Sequence, residues 1–558
     1  MRWTARFFTS ILQSFILSIL ALLPAFAHVG SPGVLVQKEA GKYRVLVSVT
    51  PPDVVPGTAK VTLLVQEGRV RQVLARPVYF QSGDEGSPVH DELTEVEPGR
   101  FEGVVWLMDS GSSSVQLEFD GPDGKATMIA PVVAMATAVR TMPESTGAIL
   151  LALGALLVVL MITIVGASLS DGTLRPGDTP SPAFRRKRFV GMGIGTVLMA
   201  LALVGWRSWW DSEAQNYLNY NLYRPLPMKG AASVGDNGPV LDLRLDTTGF
   251  AQNWGRRRNL SYILPDHGKL MHVFLVRTPG LDAFAHLHPD RRDTTWFQAP
   301  LPNLPGGKYL VYADVVYRTG FTETLTDTVE LPAIKQSAVQ AAARRLDPDD
   351  SYLIAPPMGV KAEAVGVPHL DDDMVLCGVP SASFRLADGA TMFWNDKPAS
   401  VLTAGKLYTL KFSVADPQGK AAPLEPYLGM GGHAAVVRSD GSVYIHLHPV
   451  GTYSMAAEES LSGRIADTAR TFRYPDPKRF RDSVDTFVAS LKTMPEAQKN
   501  KLLMAAMPSM QHAGKPMAVN NMVEFPYAFP RPGHSRIWVQ VKRNGVVQTG
   551  VFDAQVKE

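Results

Sequence analysis

From residue 28 to about residue 137, apolar and polar side chains alternate in short runs such as Tyr43 to Val49 and Ala59 to Val65. Alternate side chains of an extended strand share a face, so a two-residue period predicts strands buried on one side. Pro51-Pro52-Asp53, Pro56-Gly57 and Pro98-Gly99 interrupt the runs, which is the strand-and-turn spacing of a small immunoglobulin-like sandwich. The alternation resumes from Leu241 to Pro332 and again beyond residue 361.

Three stretches are apolar without that period: Ile11 to Leu23, Thr146 to Ser168 and Phe189 to Trp206. The second and third approach the length that crosses about 30 Å of hydrocarbon, and predict transmembrane helices. Arg185-Arg186-Lys187-Arg188 lies between them, which puts their link in the cytoplasm and both large flanking regions outside it. Trp206, Trp209 and Trp210 suit the far membrane interface. The first stretch follows Arg2 and Arg6 and precedes Ala25-Phe26-Ala27, the order of a secretory signal spanning residues 1–27. Cleavage there leaves His28 at the amino terminus.

The expected fold is therefore mainly β: immunoglobulin-like sandwich domains outside the membrane, two transmembrane helices and a helical insertion. The expected order is a sandwich over 28–137, helices over 146–168 and 189–207 around a basic loop at 169–188, and a stalk at 208–228. One β domain then occupies 229–333, a linker 334–360, and a second β domain 361–558. The linker is assigned from the helix-prone Ile334 to Asp350 stretch, its acidic end Asp347 to Asp350 and the later Pro356-Pro357.

Comparing the chain with itself reveals a repeat in the two later β domains. His272-Val-Phe-Leu-Val-Arg followed by Phe284-Ala-His286-Leu-His288-Pro289 recurs as His433-Ala-Ala-Val-Val-Arg followed by Tyr444-Ile-His446-Leu-His448-Pro449. Downstream, Leu304 to Tyr312 resembles Arg531 to Trp538. The second copy carries an insertion at 456–522, with helical patterns over Phe480 to Leu491 and Glu496 to Ala506. It begins just after the His-x-His segment, where it is placed to cover it.

On a strand, Phe284, His286 and His288 share one face while Ala285 and Leu287 face the core. A turn at Pro279-Gly280 brings His272 alongside, so three imidazoles converge. That donor set suits Cu(II), Zn(II) or Ni(II) better than Ca(II) or Mg(II). His433, His446 and His448 repeat it. A fourth ligand in the first copy is open among Asp266, His267 and Asp314. The competing reading is that these imidazoles only cap backbone groups at strand ends.

Two further metal candidates stand apart. Met510 and His512 fall in a methionine-rich stretch from Met504 to Met522, where thioethers would select Cu(I); methionines on a helix face also fill core gaps. His28, with its amine and ring, can chelate Cu(II), and His90 is the other histidine of that domain.

The 558 residues suit roughly three to four folded units. A net charge of +3 gives no argument for nucleic acid, and one cysteine, Cys377, excludes an internal disulfide. Nucleophile elbows, phosphate loops and paired catalytic carboxylates do not stand out, so the chain is read as a binder.

The Pro98-Gly99-Arg100-Phe101-Glu102-Gly103 turn and Met108-Asp109-Ser110-Gly111 resemble YtkA-like domains of bacterial envelope proteins. The whole resembles membrane proteins that couple such a domain to periplasmic β domains containing the His-Leu-His-Pro sequence. A histidine at the start of a mature β-sandwich is distantly similar to CopC-type copper carriers, a likeness that implies metal ligation only at His28 and His90. The expected function is copper handling, with zinc as the alternative ion, by a protein of the inner (cytoplasmic) membrane. Its expected partners are the bilayer and other envelope proteins, including copper-handling ones. The alternatives are a non-catalytic envelope scaffold and a copper-dependent oxidative enzyme built on His28.

Overall fold

The computed structural model describes residues 28–29, 33–170, 174–175, 177–235, 238–248, 258–333, 345–358, 382–395, 401–469, 471–505 and 521–558. The fold is mainly β. Eight strands between Val34 and Ala134 form one antiparallel path whose two ends share a core, with Val36, Val45, Phe101, Val115 and Val132 inside. The two-residue period is the reason: in Tyr43–Thr50, Tyr43, Val45, Val47 and Val49 face that core.

Two helices follow, α1 (Glu144–Ser170) and α2 (Pro182–Asn216), both long and apolar enough to span a membrane. Ser181 caps α2 and Pro182 occupies its first turn, where a missing N–H costs nothing. The basic cluster Arg185 to Arg188 is thus helical, not loop, and α2 runs through the first part of the expected stalk. Below it, Tyr223 N–H bonds the Ala136 carbonyl at 2.7 Å, tying the helix exit to the first domain.

Each histidine-bearing domain is a sandwich of one four-stranded and one six-stranded sheet. The first six-stranded sheet contains β1 (His272–Arg277), β2 (Ala283–Leu287), β3 (Gly307–Tyr317) and β4 (Ser351–Ile354). Strand β4 pairs with β2, so the end of the expected 334–360 linker is an edge strand of this sheet. The strand begins just beyond the helix-prone stretch, and its alternate residues Tyr352 and Ile354 are exposed while Ser351 is buried. The second sheet contains β5 (His433–Arg438), β6 (Val443–Leu447), β7 (Gly533–Arg543) and β8 (Val546–Lys557).

The repeat is structural. β1 pairs with β2 and β3 as β5 pairs with β6 and β7. Gly307 and Gly533 open the matching strands with φ of 133° and 120°, a region that a Cβ disfavours.

Both faces of these sheets are covered. Val273, Leu275, Ala285 and Leu287 fill the core of the first sandwich, and Ala434, Val436, Ile445 and Leu447 that of the second. The opposite faces pack on each other through Phe274, Val276, Phe284, Tyr312, Ala435, Val437, Tyr444 and Trp538. Phe284 stacks on Trp538 at 4.9 Å between centroids, and Tyr312 on Tyr444 at 4.2 Å. At roughly 1.5–3 kcal/mol per large apolar side chain buried, this joint holds the two domains as one body. The histidines lie on the same faces as these aromatics.

The insertion carries α3 (Met455–Ala466), which the sequence reading did not foresee, and α4 (Pro477–Thr493) and α5 (Glu496–Ala505), which overlap the two helical patterns read from the sequence. They cover one end of the joint.

Candidate functional site

Seven of the chain's 12 histidines meet at that end of the joint: His267, His272, His286, His288, His433, His446 and His448. All seven are buried. Ligand atoms of His272, His286 and His288 lie within 4.8 Å of one another, as do those of His267, His433 and His448. The first triad is the one expected from sequence. In the second, His446 gives way to His267. The His446 ring instead stands 5.3 Å from both His433 and His272 and 4.5 Å from His448, between the triads.

His267, weighed as a fourth ligand for the first copy, therefore serves the second. It sits at φ 51° in a tight turn closed by Asp266 and Lys269, with Gly268 at φ 80°. The second repeat has the same turn at Tyr427 to Met430, with Leu428 at φ 52° and Gly429 at φ 81°. Each turn lies five residues before its repeat's first histidine, so the match Pro265-Asp-His267-Gly to Pro426-Tyr-Leu428-Gly was readable in the sequence.

Hydrogen bonds fix the tautomers. His288 Nδ1 lies 2.8 Å from Asp350 Oδ1, and His448 Nδ1 lies 2.9 Å from the Tyr453 carbonyl. Both partners only accept, so each Nδ1 carries the proton and each Nε2 keeps its lone pair. Gln540 Oε1 lies 3.0 Å and the Tyr427 hydroxyl 3.3 Å from His286 Nδ1, while the Gln540 amide nitrogen donates to Ser351 Oγ. The Asp266 carbonyl, 3.2 Å from His272 Nε2, makes that nitrogen the donor. His272 Nδ1 and His286 Nε2 lie 3.1 Å apart and share a hydrogen bond whose donor is set by the tautomer.

The pairing crosses the repeats. Asp314 stands opposite His272 in the first sheet and Gln540 opposite His433 in the second. Asp314 Oδ2 lies 3.6 Å from His446 Nδ1, and Gln540 reaches His286. Each domain orients a histidine of the other. Asp314 is thus an orienting group in this geometry, and Asp266 serves the cluster through its carbonyl.

Neither Nε2 of His288, His446 and His448 nor either ring nitrogen of His267 and His433 has a hydrogen-bond partner. Burying such a nitrogen unpaired costs about 1–3 kcal/mol, a cost that a bound ion or water would remove from these five imidazoles.

A carboxylate cluster closes one side. Lys269 pairs with Asp347 and Asp349, and Lys499 and Lys542 reach Asp349 at 3.2 and 3.4 Å. Burial pushes the Asp347 and Asp349 carboxyls up, but these lysines outweigh it and leave both below their ordinary value. His288, Asp347 and Asp350 also form a three-donor group, but Lys269 already supplies its cation. Sequence reasoning took these aspartates for linker.

Burial, then neighbouring imidazoles, pulls the His267 pKa down to about 3, and pulls His272, His286, His433 and His448 well below the ordinary value. The rings are therefore neutral near pH 7, the state that binds metal. Above 6.5 neither folded nor unfolded rings hold a proton; below it the unfolded chain gains protons that the fold refuses. Each such ring removes about 1.4 kcal/mol per pH unit until its folded pKa is reached. Metal-free protein is expected to lose thermal stability steeply as pH falls from 6.5 towards 3. A flat melting-temperature profile over that range would contradict neutral burial.

The insertion seals the cluster. Ala456 N–H, at the start of α3, bonds Asp266 Oδ1 at 3.0 Å. A Cβ on Gly268 would lie 2.8 Å from Leu491 and 3.4 Å from Leu503, so α4 and α5 rest directly on the His267 turn.

The other candidates lie elsewhere. Met510 and His512 fall outside the described residues. His28 pairs through its backbone with Val443 at the edge of β6. His90 is in the first domain, its Nε2 3.3 Å from Glu118 Oε1 without hydrogen-bond geometry. No cluster among the described residues joins His90 to another ligand.

A family model described as a domain of unknown function, DUF8832, matches residues 385–474, a segment that includes His433, His446, His448 and α3. No curated protein is similar in sequence. Among solved structures, the FN1–FN3 domains of chicken CNTN1 are similar at 6% identity, with 94% of this chain and 99% of that chain covered and a TM-score of 0.14. A Salmonella alpha-2-macroglobulin mutant is similar at 8% identity, with 93% and 33% covered and a TM-score of 0.15.

Proposed function

We propose that the chain is a membrane-anchored metal-binding protein of the bacterial envelope that holds copper in the histidine cluster, its β domains on the periplasmic face. The observation that carries this reading is the convergence of two buried histidine triads, each with ligand nitrogens within 4.8 Å of one another and each holding ring nitrogens that have no hydrogen-bond partner. The 3.1 Å between His272 Nδ1 and His286 Nε2 is also close to one edge of a tetrahedron with bonds of about 2.0 Å. The orienting groups on the far nitrogens are what imidazole ligands use to fix tautomer and direction.

An all-imidazole set favours Cu(II), Zn(II) or Ni(II) over hard cations. Copper is preferred for the likeness to CopC-type carriers and for the thioethers of Met510 and its neighbours beside His512, which offer Cu(I) a soft site. Burial under α4 and α5 suits retention: Leu491 and Leu503 must move before an ion leaves. The reading is of binding, carriage or sensing, in place of turnover. The basic flank of α2 supports an inner-membrane protein with its link inside, and copper-handling proteins of the envelope are the proposed partners.

The test is equilibrium dialysis of the full chain in detergent micelles against buffered Cu(II), Cu(I) and Zn(II), with bound metal counted by elemental analysis. Tight copper binding is the expected result. Retention of none of the three overturns the reading in favour of a tethered scaffold.

A further inference from the structure

The geometry points to a binuclear centre: the cluster takes two metal ions side by side, one in the His272, His286, His288 triad and one in the His267, His433, His448 triad. This rests on the metal reading above and adds the number of ions, their ligands and the role of His267.

One ion cannot use the imidazoles present. A tetrahedral centre takes four donors, whereas seven imidazoles converge here, and six of them divide into two triads that share no residue. Unpartnered ring nitrogens are found in both, His288 Nε2 in one and those of His267, His433 and His448 in the other. An ion in the first triad alone would leave three buried rings of the second uncompensated, at the cost that makes such nitrogens rare in folded proteins.

The two positions are adjacent. His272 lies 6.1 Å from His267, and His286 lies 6.5 Å from His433, between ring centroids. These spacings are little larger than those within a triad, 4.5 Å for His286–His288 and 5.3 Å for His267–His433. His446 lies between the triads with a free Nε2 and completes either ion's shell. The crossed orienting groups, Asp314 on His446 and Gln540 on His286, mean that the pair forms only when the two domains are docked.

The experiment titrates the purified full chain in micelles with copper(II) sulfate, reading bound equivalents and the electron paramagnetic resonance signal. The expected result is two equivalents with a signal integrating to clearly fewer than two spins, because adjacent Cu(II) ions couple. His267→Ala and His272→Ala are each expected to reduce binding from two equivalents to one, and the remaining ion to show a full, uncoupled signal. One equivalent in the unsubstituted protein overturns the binuclear centre and leaves the metal reading standing. Two equivalents with two full spins also overturn it. Absence of binding removes both. The titration of the unsubstituted chain decides even if a variant does not fold.

Discussion

Replacing His433 by leucine is expected to weaken copper binding by more than a hundredfold at its triad while raising the stability of the metal-free protein. The ring is wholly buried and neither nitrogen is hydrogen-bonded. Leucine of similar size removes two unpaired polar atoms, each costing about 1–3 kcal/mol, against a modest penalty for altered shape. Loss of an orienting partner alone typically costs 10–100-fold in metal affinity, and loss of a direct ligand costs more. Metal titration paired with thermal unfolding of the metal-free form checks both signs. A destabilised variant with unchanged copper affinity would make His433 a structural residue.

Gly451→Ala is expected to detach the first domain and disturb the second triad. Gly451 closes the turn after the His448 segment, exchanging hydrogen bonds of 2.9 Å in both directions with His448. Its φ of 138° is a glycine conformation, and an added Cβ would lie 1.9 Å from the Leu35 carbonyl oxygen. That oxygen accepts from Thr452 N–H, beside a second bond from Gln37 N–H to the Val450 carbonyl. Backbone strain and a backbone clash cannot be absorbed by a side-chain shift, so a loss of about 3 kcal/mol in docking is expected. Limited proteolysis should then release the first domain, and copper affinity should fall because Tyr453 no longer holds His448. A protease-resistant variant would contradict this coupling.

Much of this was legible in the chain. The two-residue period located the strands because one face of each is a core face, and the HLHP repeat placed His272, His286 and His288 together because strand alternation fixes facing. What periodicity could not reveal was the partner of the other face. Phe284 and Tyr444 read equally well as exposed aromatics or as a joint, and only the docking of two sheets, a non-local event, distinguishes them. For the same reason His267 was weighed, with Asp266 and Asp314, only as a fourth ligand of the first copy: its turn belongs to one domain and its ring to the other's triad. Asp347 to Asp350 looked like a solvated linker because charge runs usually are. Lys269, Lys499 and Lys542 converge on that run from distant sequence positions.

Within the insertion α4 and α5 fall on the periodic stretches because helix periodicity is local, whereas α3 was not read from the sequence. Its function as a cover depends on the contact of Leu491 and Leu503 with Gly268, which no single segment encodes.

The most direct measurement of metal ligation by the cluster is the X-ray absorption spectrum of the copper-loaded full chain. Imidazole ligation gives a nitrogen shell near 2 Å with the outer-ring scattering of histidine. Copper with a sulfur shell near 2.3 Å and no imidazole pattern would instead place the ion among the methionines, and would contradict the assignment to His272, His286, His288, His267, His433 and His448.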